Sequence, residues 1–123
     1  MSQNYRETGD SLRVLFCIGM RDDFFAMDAA DAPKIIEASR TALDNLGERF
    51  GLTVLGTMDD DELMVGPSYG FPWTAYILAD APDLDSVKKV CNTLRETAVG
   101  DSKLWRYMKI EARVGRPLFF GNS

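Results

Sequence analysis

LRVLFCIG, residues 12–19, is apolar on both of its alternating sets except at Arg13. A strand with one wet face alternates apolar and polar residues. One that is apolar on both sets is covered on both faces and belongs in the middle of a sheet. WTAYILA (73–79) has the same pattern and is expected to be a second central strand. LTVLGTM (52–58) and the alternating part of WRYMKIEARVGR (105–116) supply two more. In the last stretch Met108, Ile110, Ala112 and Val114 form one set, and Trp105, Tyr107, Lys109, Glu111 and Arg113 form the other. That second set is either a wet surface or the lining of a pocket.

Between these strands lie two helical patterns. Asp31 followed by Pro33 is an acidic cap with proline in the first turn. Ile35, Ile36, Ser39, Ala42, Leu43, Leu46 and Phe50 then recur at helical spacing, predicting one helix that stops at Gly51. Asp83 or Asp85 opens the second, with Leu84, Val87, Val90, Cys91, Leu94 and Ala98 on one stripe and Gly100 as its end. MRDDFFAMDAAD (20–31) reads as a loop or short turn from which Phe24, Phe25 and Met27 pack back on the body. DDDELMVGPSYGFP (59–72) is the least regular stretch, with Asp59–Asp61 turning into a short extension, Leu63–Val65. The order β-α-β-β-α-β predicts an α+β, ferredoxin-like domain over residues 12–116: a four-stranded antiparallel sheet with two helices on one face. Residues 1–11 are a polar N-terminal tail and 117–123 a short C-terminal one.

Composition narrows the function. The chain has 123 residues, enough for one core but not for two. A formal net charge of -5 argues against a nucleic-acid partner, which needs clustered Lys and Arg. The segment from Lys103 to Arg116 is locally basic, with Arg106, Lys109 and Arg113 against Glu111 alone, and suits either an anionic small molecule or a solvated strand edge. The sequence contains no histidine, which removes Ser-His-Asp and Cys-His catalysis and histidine-ligated zinc or haem. Cys17 and Cys91 lie in apolar stretches and read as buried free thiols of a cytoplasmic protein. No run approaches the roughly 18 apolar residues of a membrane span, and the polar start lacks the features of a signal peptide. No glycine cluster has the strand-turn-helix setting of a phosphate loop, so nucleotide binding and cofactors are not expected.

Two helices cover only one face of a four-stranded sheet, yet both central strands are apolar on both faces. Apolar surface left wet costs roughly 25 cal/mol per Å², so a second copy packed sheet against sheet is expected, giving a homodimer. Leu118, Phe119 and Phe120 either clasp that partner or fold onto their own helices.

This order, length and pairing resemble the dimeric α+β barrel superfamily, which includes cofactor-free monooxygenases of aromatic compounds, muconolactone isomerases and small accessory proteins of catabolic pathways. RVLFCIG, GTMDDDELMVGPSYGFPWTAYILADAPDLDSVKKVCNTLR and LWRYMKIEARVGR further resemble the IacB-type proteins of bacterial indole-3-acetate degradation clusters. The resemblance implies a small aromatic, indolic acid as ligand and a pocket between sheet and helices. It carries no catalytic residue with it.

The candidate residues follow from that expectation. Tyr69, Phe71 and Trp73, with Ser68, offer flat apolar surface with polar tips, or an ordinary aromatic loop packed on the core. In a closed pocket Lys109 and Arg113 would hold a carboxylate, Glu111 would act as general base and Tyr107 would donate; on a surface the same residues pair to little effect. Tyr76, among apolar neighbours, needs a hydroxyl partner; it is either satisfied by a backbone carbonyl or serves as the second catalytic candidate. Asp59, Asp60, Asp61 and Glu62 lack calcium-loop spacing and read as a solvated turn. Asn92 and Arg95 read as a surface pair. Two roles follow: a cofactor-free enzyme performing oxygenation, proton transfer or dehydration on the acid, or a non-catalytic carrier or accessory protein for a pathway oxygenase.

Overall fold

The computed structural model describes residues 12–67 and 72–121. The polar N-terminal tail, and with it Ser68, Tyr69 and Phe71 of the aromatic loop, lies outside the described residues. The chain runs β1 (Leu12–Met20), α1 (Asp22–Ala26), α2 (Ala32–Leu43), α3 (Leu46–Phe50), β2 (Thr53–Asp59), β3 (Ala75–Ala81), α4 (Leu84–Glu96), β4 (Ala98–Val99), β5 (Ser102–Lys103) and β6 (Met108–Gly115). A four-stranded antiparallel sheet has the order β2-β3-β1-β6, which places the two doubly apolar strands at its centre.

Parity decides what each strand residue touches. Val14, Phe16 and Ile18 of β1, Ile77, Ala79 and Ala81 of β3 and Met108 of β6 point to one face. There they meet Ile35, Ala38 and Ala42 of α2 and Val87, Val90 and Leu94 of α4. Burying a Phe, Leu or Ile side chain completely contributes about 1.5–3 kcal/mol each, so this layer holds the fold. Among the described residues no helix is long and apolar enough to cross a membrane.

The two helices depart from the sequence reading for physical reasons. The helix expected from Asp31 to Gly51 is broken: Asp44 is extended and Asn45 takes a left-handed conformation (φ 59°), after which α3 resumes. The Arg49 guanidinium closes the break, donating to the carbonyls of Thr41, Ala42 and Asp44 at 3.1, 2.9 and 2.8 Å and satisfying the open end of α2. Leu46 stays buried, so the apolar stripe crosses the break although the backbone does not. The second helix is capped by Asp83, whose carboxylate accepts the Ser86 N–H at 2.8 Å, but it ends at Glu96 instead of near Gly100. Ala98 and Val99 pair with Lys103 and Ser102 across a turn in which Gly100 has φ 57°.

The last strand begins later than expected. Leu104–Arg106 form a turn of 3₁₀ helix, so Trp105 and Tyr107 are not strand residues. Tyr107 packs against the helix-side core, off the row that it was expected to begin. Leu63–Val65 form no strand and are exposed. Phe24 and Met27 pack on the core while Phe25 is exposed. Leu118, Phe119 and Phe120 are also largely exposed, the two rings edge to face at 4.9 Å.

Candidate functional site

The space between sheet and helices, where the resemblance implied a pocket, is filled by Val14, Phe16, Ile35, Val90, Leu94 and Leu104, all essentially buried. The candidate residues instead gather on the opposite face, which no helix among the described residues covers. Register assembles them. Cys17 pairs with Tyr76 on one side and Glu111 on the other, and Tyr76 pairs with Met58, giving a row Met58, Tyr76, Cys17, Glu111 across all four strands. The next row on the same face is Gly56, Leu78, Leu15, Arg113. Beyond it Arg13 meets Asp80 in an ion pair of 2.7 Å.

The apolar half of these rows forms an open groove of about 490 Å³ lined by Leu15, Gly56, Thr57, Met58, Tyr76 and Leu78. A bulge between Val54 and Gly56 creates part of it. The extra residue shifts β2 so that a glycine, not a side chain, lies opposite Leu78. A Cβ at Gly56 would meet no atom within 4 Å.

The polar half is built around Cys17, only 1% exposed although no helix covers it. Burial pushes its thiol up, with the Arg113 charge opposing and the Glu111 charge adding to that shift. The Tyr76 hydroxyl donates to Asp60 Oδ2 at 3.3 Å and lies 3.4 Å from the Trp73 carbonyl. Desolvation and then the Asp60 carboxylate raise its pKa, so it remains a neutral phenol. Arg113 donates through Nε and Nη2 to Glu111 Oε2 at 3.3 and 3.1 Å, and this bond raises the guanidinium pKa. Both side chains remain substantially exposed, 60% for Arg113 and 43% for Glu111, so within one protomer the pair is a weak contributor to stability. Lys109, opposite Gly19, holds its ammonium 5.6 Å from the centre of the Trp73 ring.

Glu111, Tyr76, Arg113, Lys109 and Trp73 therefore share one face, and Tyr107 does not. Cys17, read from sequence as a buried thiol, and Asp60, read as part of a solvated turn, join them together with Leu15, Leu78 and Met58, none of which had been given a place in the site. The parity of Leu15 and Cys17, opposite to Val14, Phe16 and Ile18, was the available signal for two of these. Asp60 carried none, since the chain turns there and brings its carboxylate back over β3. Among the described residues no three His, Cys, Asp or Glu side chains are grouped to hold a metal ion. Chemically the face presents a neutral phenol, a protonated thiol and a guanidinium-carboxylate pair beside an apolar floor. Comparison with protein-family models, with curated proteins and with solved structures returns no match.

Proposed function

We propose that the chain is a ferredoxin-like protomer that dimerises sheet to sheet as a dimeric α+β barrel and holds a small aromatic acid in the space between the sheets. The observation that carries this reading is the pairing, on one helix-free face, of an apolar groove with Arg113 and Lys109. A flat ring suits Leu15, Leu78 and Met58, and a carboxylate suits the guanidinium, which forms its strongest bonds to such planar anions. Left in water, the apolar part of this face is a cost that a second copy removes. The charges support an orientation. A two-fold axis lying between the sheets parallel to the strands sets β2 of each protomer over β6 of the other. Asp60 then lies over the partner's Lys109 at both ends of the interface, an isologous arrangement.

Holding is the primary role, since Tyr76 and Cys17 are protonated and Glu111 is engaged. A catalytic role is favoured by one detail: both Arg113 nitrogens bond the same Glu111 oxygen. An acid that takes Arg113 for its own carboxylate frees Glu111 as a general base beside the ligand, with the Tyr76 phenol as donor. The alternative role, a carrier or accessory of a pathway oxygenase, uses the same pocket without turnover.

Calorimetric titration with indole-3-acetate and its ring-hydroxylated derivatives tests the proposal. Saturable heat with one site per chain is expected, and Arg113→Ala weakens binding by about tenfold, the scale of one charge-assisted hydrogen bond, without unfolding the protein. No heat at millimolar ligand, or equal affinity in the variant, rejects the aromatic-acid site. Turnover of bound ligand by the purified protein separates enzyme from carrier.

A further inference from the structure

A second concavity lies away from the open sheet face, where the turn after β1 meets the segment leading into β6. It has a volume of about 510 Å³ and is lined by Arg21, Asp22, Asp23, Lys103, Trp105 and Arg106, with Ser102 beside them. Its walls are fastened together. The Arg21 N–H donates to the Tyr107 carbonyl at 2.8 Å, and Arg21 Nε reaches the Met108 carbonyl at 3.4 Å. Arg106 donates to Asp23 Oδ2 at 2.8 Å and to Ser102 Oγ at 3.0 Å. One wall is the Trp105 ring, 47% exposed, with the Arg95 guanidinium 5.4 Å from its centre.

The charges in this cleft are not balanced. Arg106 is neutralised by Asp23, but among the described residues neither Arg21 nor Lys103 has a carboxylate within ion-pair distance. Among the lining residues three cations face two carboxylates, an excess of one positive charge on a chain whose net charge is -5, while Arg95 stacks on Trp105 and is not part of the lining. Because Arg21 is tethered through Nε, its two terminal nitrogens are available as a planar fork for an oxyanion. A single excess charge matches a monoanion, while Asp22 and Asp23 oppose a second negative charge. The indole wall favours a flat body on that anion.

We propose that this cleft is a binding site for a small, flat organic monocarboxylate, distinct from the open-face groove. Lys103 and Arg21 hold the carboxylate, and the ring lies along Trp105. Arg106, fixed by Asp23 and Ser102, sets the cleft's width.

The chain has two tryptophans, so a Trp73→Phe background isolates the Trp105 fluorescence. Benzoate is the probe and inorganic phosphate the comparison. Saturable change of the Trp105 signal with benzoate is expected, and Lys103→Gln, which removes no ion pair among the described residues, weakens the affinity by about tenfold. A signal that changes only linearly with benzoate, an unchanged affinity in Lys103→Gln, or tighter binding of phosphate than of benzoate overturns the proposal. Arg21→Lys, which keeps the charge but loses the fork and the long bond to the Met108 carbonyl, is expected to bind benzoate more weakly with at most a small drop in melting temperature. Unaltered binding in that variant also counts against the site.

Discussion

The two faces of the sheet are built from the same strands and do opposite things. On β1, Val14, Phe16 and Ile18 alternate with Leu15 and Cys17. The first set lies under α2 and α4 and supplies the core. The second set, equally apolar, has no helix over it and is bordered by Tyr76, Glu111 and Arg113. Hydrophobic patterning therefore assigns strands to the centre of the sheet, but it does not say what covers each face. On the helix side the cover is within the chain. On the open side the proposed cover is a second chain and a ligand, and there the polar residues are concentrated.

Substitutions on opposite faces sharpen this contrast. Phe16→Ala, at a fully buried position, is expected to destabilise the protein by about 3–5 kcal/mol and lower its melting temperature severely. Leu78→Asp, on the neighbouring strand but of opposite parity, facing the open side and 37% exposed, is expected to leave the circular dichroism spectrum intact and convert a dimer to a monomer in sedimentation. A variant that still sediments as a dimer removes the open face from the interface. A wild-type monomer does so at once.

A smaller effect separates groove from scaffold. Gly56→Leu sets its Cβ where no atom stands within 4 Å and extends the rest of the side chain into the open groove, so folding is expected to be unharmed. The groove is filled, and affinity for an aromatic acid falls by roughly tenfold. Unchanged affinity moves the ligand elsewhere, the cleft by Trp105 being the first place to look.

The smallest effect lies on neither face. Asp83 caps α4, and its bond to the Ser86 N–H holds the carboxyl below the usual aspartate range. That contribution is fully present above an ordinary aspartate pKa of about 3.9 and is lost as pH falls through the lower folded value. Asp83→Ala is thus expected to lower the melting temperature modestly at neutral pH, with the two proteins converging in acid. A difference that persists undiminished at the acid end would falsify the capping account.

Much of the sheet was legible because apolar runs on both parities mark central strands, and an acidic residue at 83 or 85 marked the start of the second helix, where the structure uses Asp83. The break at Asp44 and Asn45 was hidden because Leu46 and Phe50 continue the helical spacing that α2 begins. The turn at Leu104–Arg106 was hidden for a different reason. Leu104 and Met108 share parity, so a strand drawn through both fits the alternation, and Tyr107 is then assigned to the wrong row. For the site, parity grouped Lys109, Glu111 and Arg113 correctly, yet only pairing register could show that Cys17 lies between Glu111 and Tyr76. Asp60 reaches Tyr76 through the path of a turn, which residue type alone does not reveal.

The bulge in β2 has a consequence beyond the groove. This strand is one edge of the sheet, and unpaired backbone groups along an edge recruit strands from other molecules, the first step toward fibrils. An extra residue at Leu55 breaks the regular ladder, and Asp59 closes the strand with a charge. The opposite edge, β6, carries Lys109, Glu111 and Arg113 along its length. Both edges thus resist endless strand addition, so the sheet can present an apolar face for association while its rims stop that association from propagating.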